Sequence, residues 1–152
     1  MEDPKTTILN LLKTAFAVFK IDGETPAVVD VTFEFPEEDL SKRFQSKDIL
    51  ITIGREGEIE KRLGLGGDVP RLFKGSYRIG VWVKDKPDEI DESVCLASVE
   101  KIKEICRTFE KSPGGDLSRI RHLNVHDDDR VGSPMLYHRI VMVETWHFWR
   151  NE

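Results

Sequence analysis

A chain of 152 residues with 39% hydrophobic and 34% charged side chains is an ordinary globular mixture, long enough for one domain with its own core. Its formal net charge of −5 argues against a protein built mainly to neutralise a phosphate backbone, while leaving room for a local basic patch. The chain does not open on a basic segment followed by an apolar run, and about eighteen consecutive apolar residues occur nowhere, so neither a cleaved export signal nor a membrane span is expected.

Asp3-Pro4 starts the first element. Asp3 can cap free backbone N–H groups and Pro4 suits the first helical position. Ile8, Leu11, Leu12, Ala15, Phe16 and Phe19 recur at helical spacing, which predicts a helix ending near Lys20, before the turn pair Asp22-Gly23. Residues 27–35 alternate Val29, Val31, Phe33 and Phe35 with Asp30, Thr32 and Glu34, the pattern of a half-buried strand that Pro36 ends. Residues 37–47 are polar and read as a loop or a short helical turn, and residues 48–54 as a second strand followed by a turn at 55–58.

From about Arg71 alternation returns, with Tyr77, Ile79, Val81 and Val83 on one face and Arg78, Gly80 and Trp82 on the other. A charged turn at 84–88 follows. An amphipathic helix is then expected over 94–109, with Val99, Ile102, Cys106 and Phe109 on one face and Pro113-Gly114-Gly115 as its stop. Residues 118–125 read as a moderate strand. The chain closes on MLYHRIVMVETWHFW, residues 135–149, a long strand with large groups on both faces: Leu136, His138, Ile140, Met142, Glu144, Trp146 and Phe148 against Tyr137, Arg139, Val141, Val143, Thr145, His147 and Trp149. One face can close a core. The other needs a cover, and in so small a chain another subunit can supply it. The expected fold class is therefore α+β: a single domain with a mixed or mainly antiparallel sheet and two helices packed on one face.

Chemistry is thinly signalled. Cys95 and Cys106 lie eleven residues apart on one predicted helix, about 16 Å, beyond disulfide reach. They read as buried thiols, inert by default. Gly64, Gly66 and Gly67 invite a phosphate-loop reading, but no Lys-Ser or Lys-Thr follows them. His122, Asn124 and His126 would share one side of a strand, with Asp127, Asp128 and Asp129 at its mouth. That set suits a metal-dependent hydrolase on paper, without any recognised ligand spacing. His138 and His147 alternate across the last strand and cannot join on one ion. Glu144, between Met142 and Trp146, calls for a cation such as Arg78 or Arg139. Basic residues beside aromatics at 42–44 and 71–74 and at Tyr77-Arg78 are the nearest approach to a nucleic-acid-binding module.

The opening helix, the strand at 27–35, the run Tyr77-Arg78-Ile79-Gly80-Val81-Trp82-Val83, the amphipathic helix and the closing pair of strands together resemble the tail-terminator and head–tail joining proteins of tailed phages. That resemblance implies a structural virion protein, assembled in the host cytoplasm as a homo-oligomeric ring, commonly hexameric. Such a ring stops tail-tube polymerisation and meets the head connector. It implies neither an enzyme nor a cofactor. Ring closure would use the sheet side bearing Trp82 with Trp146 or Trp149, together with Arg78 and Arg139, since aromatics and Arg concentrate at interface centres. Gly64, Gly66, Gly67, Asp127, Asp128 and Asp129 would face the lumen or neighbouring rings, their acidic charge letting DNA pass without specific binding.

Overall fold

The computed structural model describes residues 3–62, 71–132 and 134–149, and these form one five-stranded mixed sheet with helices packed against it. In chain order the elements are α1 (Pro4–Phe16), β1 (Val29–Phe33), a 3-10 turn (Glu37–Asp39) running into α2 (Leu40–Phe44), β2 (Ile49–Arg62), β3 (Arg71–Lys84), α3 (Glu92–Thr108), β4 (Arg119–Asp127) and β5 (Leu136–Trp149). The strand order is β1-β2-β3-β5-β4. Only β1 and β2 run parallel; every other neighbouring pair is antiparallel.

Local chemistry explains the elements. Asp3 caps α1 by accepting a hydrogen bond from the Lys5 N–H at 3.0 Å, and Pro4 takes the first helical position. The helix stops at Phe16 rather than near Lys20: Lys20 is already bridged to Pro26, a hairpin-like closure fixed by Asp22, whose carboxylate accepts from the Glu24 and Thr25 N–H groups. Asp91 caps α3 through the Ser93 N–H at 2.9 Å.

Helices α1 and α3 share one face of the sheet. There Ile8, Leu12 and Phe16 of α1 and Val94, Val99, Ile102 and Ile105 of α3 pack on the ladder Ile49-Ile51-Ile53, Ile79-Val81-Val83 and Val141-Val143, all of them buried. Each such side chain fully removed from water contributes on the order of 1.5–3 kcal/mol. Cys95 and Cys106 lie buried in this core as free thiols, their pKa pushed up to about 12 by burial, which disfavours the thiolate.

Two departures shape the rest. First, residues 55–58 are strand, not turn: β2 carries on to Arg62 past a bulge at Glu56, where Arg55 pairs with Tyr77 and Gly57 with Ser76. Charges on both sides of residues 55–60 imitate a turn because this end of the strand is exposed on both faces. Second, the β1–β2 crossover supplies a helix to the opposite face. There α2 packs Phe44 against Leu50 and Trp82 as a small second core. β2, β3 and β5 are each 14 residues long, about 46 Å. The 17-residue α3 spans only about 25 Å, so these strands are longer than the helix packed on them. Among the described residues no helix is long and apolar enough to cross a membrane.

Candidate functional site on the open sheet face

Because β5 lies between β3 and β4, each of its side chains on the face away from α1 and α3 has two cross-strand neighbours. Trp146 stands between Lys74 and Arg119, Glu144 between Ser76 and Arg121, Met142 between Arg78 and Asn124, and Ile140 between Gly80 and His126. His138 faces Trp82. At one end of this ladder the Lys74 ammonium and the Arg119 guanidinium lie 5.0 and 4.9 Å from the Trp146 ring, one from each neighbouring strand. The Trp146 Nε1–H donates to Glu144. Neither Arg78 nor Arg139 supplies the cation expected for Glu144.

Arg78 is taken by other carboxylates. It donates to Glu34 at 2.7 Å and also to Glu56, the bulge residue. Glu34 reaches it from beyond β1 by crossing β2 at Gly54: a Cβ there would stand 1.7 Å from the Glu34 carboxylate, so glycine keeps the path open. The Glu34 hydrogen bond, ahead of Glu56, holds the Arg78 guanidinium even more firmly protonated than usual.

At the other end the ladder is roofed. Trp82 is 6% exposed, so its expected place on an exposed surface is corrected: α2 and the β4–β5 connection cover it. Its indole stacks on the His138 ring with centroids 3.4 Å apart. His138 Nδ1 lies 3.1 Å from Asp128, Asp128 lies 3.1 Å from Arg130, and Arg130 reaches Glu37 at 2.9 Å. That chain of ion pairs straps the loop onto the 3-10 turn. Burial depresses the His138 pKa against the opposing pull of Asp128. Asp128 is itself held below the usual carboxylate range, first by Arg130 and then by His138. A neutral ring donating Nδ1–H to Asp128 leaves Nε2 as an acceptor, 3.3 Å from where a Cβ on Gly80 would stand. Beside this floor lies a cleft of about 350 Å³, bounded by Glu34, Glu37, Thr52, Arg78 and His138.

The remaining predicted residues are dispersed. His122, Asn124 and His126 do not share a side. A bulge at Leu123 pairs His122 with Val143 on the helix face but Asn124 with Met142 and His126 with Ile140 on the open face. Burial and then Arg107 keep the His122 pKa low. No group of three His, Cys, Asp or Glu side chains is placed to hold a metal among the described residues. Asp127 stays exposed and Asp129 is half-buried, and both reach Arg139. With Glu92 they grip Arg139, at 2.8 Å for Asp127 and 2.8 Å for Glu92. Arg139 is 4% exposed and faces the helices, so it is a clamp within the chain rather than part of an exposed interface. His138 and His147 do lie on opposite faces, His147 stacking on Phe73 at 4.9 Å with both ring nitrogens unpaired. Trp149 pairs with Arg71 at the ladder's end; its side chain, and Gly64, Gly66 and Gly67, lie outside the described residues.

Sequence reasoning alone misses Glu34, Gly54, Arg119 and the Asp128–His138 contact, and places Lys74 only as part of the basic–aromatic run at 71–74. Lys74 is visible as a basic residue beside Phe73, and Gly54 as a glycine closing an apolar strand run. Comparison with known proteins found no matching family model and no matching curated protein.

Proposed function

We propose that this chain is a structural assembly protein that closes with copies of itself into a ring, in the manner of the tail-terminator and head–tail joining proteins that its element order resembles. In that role it would end tube growth and join a tail to its head connector. The observation that carries the reading is the uncovered end of the sheet. Three 14-residue strands end there with Trp146, Lys74 and Arg119 only half-buried on the open face, whereas His147 on the helix face is already buried against Phe73. Ile59 is 67% exposed on the same stretch. An open sheet face that carries large half-buried groups calls for a second cover. A patch of one kind at one end of the sheet and a different patch at the other suits heterologous contacts, which generate rings when the rotation closes.

The test is light scattering coupled to size exclusion across micromolar concentrations, with negative-stain imaging of the main peak. The reading expects a closed oligomer of defined number. A monomer at every concentration, with no ring in the images, contradicts it. The metal-hydrolase alternative needs His122 and His126 on one side of β4, and the Leu123 bulge separates them.

A further inference from the structure

We propose that the uncovered end of the open face receives the acidic turn at residues 85–91 of a second copy of this chain, a head-to-tail contact that rests on the assembly reading above. Lys74 and Arg119 flank Trp146 at that end, Arg121 stands opposite Glu144, and Glu144 already accepts the Trp146 Nε1–H. Neither Lys74 nor Arg119 has a carboxylate partner among the described residues; each lies over the indole instead. Cations held against an aromatic face keep their N–H donors for an anionic partner, and an Arg plane offers two of them in parallel.

The complementary surface is on the same molecule at the opposite end of the same strands. Between Lys84 and Glu92 five carboxylates stand against two lysines, and Lys86 is drawn toward Asp48 at 3.6 Å. Asp88 and Glu89 are exposed at the apex. The turn is firmly made: Glu89 N–H donates to the Lys86 carbonyl at 3.0 Å, Ile90 and Lys86 exchange two backbone hydrogen bonds at 2.9 Å, and Ile90 is buried beneath. A turn already ordered loses little entropy on docking. Charge complementarity selects the occupant. The second copy offers its carboxylates at one defined place that matches the Lys74–Arg119 patch. Because donor patch and acceptor turn are different surfaces, the contact repeats from copy to copy.

The experiment is sedimentation velocity on the full chain with paired charge reversals, folding being checked by circular dichroism. Lys74→Glu with Arg119→Glu should raise the concentration needed for assembly by about tenfold or more, and Asp88→Lys with Glu89→Lys should do the same. An equimolar mixture of the two variants, and separately the chain carrying all four changes, should recover assembly because the charges are again complementary. If the wild type assembles but neither reversal weakens it, or neither combination recovers it, this contact is wrong while the assembly reading stands. A wild type that is monomeric throughout overturns the assembly reading and this contact with it. A monomeric wild type that binds an oligothymidylate probe, with binding lost in Lys74→Glu/Arg119→Glu, assigns the patch to nucleic acid instead.

Discussion

The two faces of the sheet use similar residue types to opposite ends. Beneath α1 and α3 the ladder is mainly aliphatic, and the buried guanidinium of Arg139 on that face is held by Asp127, Asp129 and Glu92. On the open face, charges and aromatics meet one another along the cross-strand rows, and two tryptophans on it have different fates. Trp82 is roofed by α2 and stacked on His138; Trp146 is half-buried, between two cations. Burial makes the first a structural residue. Position alone, beyond the reach of α2 on the open face, leaves the second half-buried, as the proposed contact between copies requires.

The two tryptophans give the largest contrast. Trp82→Ala should cost about 3–5 kcal/mol, as expected for a large buried aromatic. Trp146→Ala, measured below the assembly concentration, should cost only about 1–2 kcal/mol, roughly two cation–π contacts. Urea unfolding reads both, and light scattering should show the Trp146 variant losing assembly. Equal costs would erase the distinction between roofed and uncovered ends.

Next in size is the Arg139 clamp. Fully buried ion pairs cost about 3–5 kcal/mol when one partner is removed, but Asp127 and Glu92 keep contact with water, so Arg139→Ala should cost about 2–3 kcal/mol in the same urea assay. A loss of assembly with unchanged stability would return Arg139 to the interface.

Much of the covered face is legible in the amino-acid sequence. The helix repeat of α3 and the alternation of β1 and β3 follow directly from burial on one side, so Ile79 and Val81 mark the helix face; the two faces of β5 are separable by alternation, but which one meets the helices is not. The outer half of β2 is not legible, because Arg55 to Glu60 meets solvent on both faces and carries no alternation. The bulges at Glu56 and Leu123 are invisible for a related reason. One extra residue reverses every later side chain without changing composition, and this is what separates His122 from His126. The open-face site shows the same limit. Arg78 and Trp146 can be placed on a face, but Glu34 reaching across Gly54, or Arg119 beside Trp146, depends on register between strands far apart in sequence.

A smaller effect is a pH dependence shared by histidines on both faces. Burial lowers the pKa of His122, His138 and His147 below the ordinary 6.5. These rings are neutral when folded and protonated when unfolded, so stability is fully present above 6.5 and falls as pH drops toward the depressed values. Each group contributes up to about 1.4 kcal/mol per pH unit in that window. Asp128, lowered by Arg130, keeps its contribution there and loses it only as pH falls through its own depressed value, below 3.8. Urea midpoints at pH 7, 6 and 5 should therefore decline. His147→Leu should flatten part of the decline and be neutral or stabilising at pH 7, since it replaces two unpaired buried nitrogens. A steeper decline in that variant would contradict the assignment.

The most direct measurement of the central claim, that the uncovered end of the open face is where copies meet, is amide hydrogen exchange compared between dilute and concentrated protein. The account predicts added protection on concentration at Arg119 to Arg121 of β4 and Glu144 to Trp146 of β5, together with the turn at residues 85–91, and little change along α1. Protection gained instead on the outer surface of α1 and α3, with β4 and β5 unchanged, would contradict it.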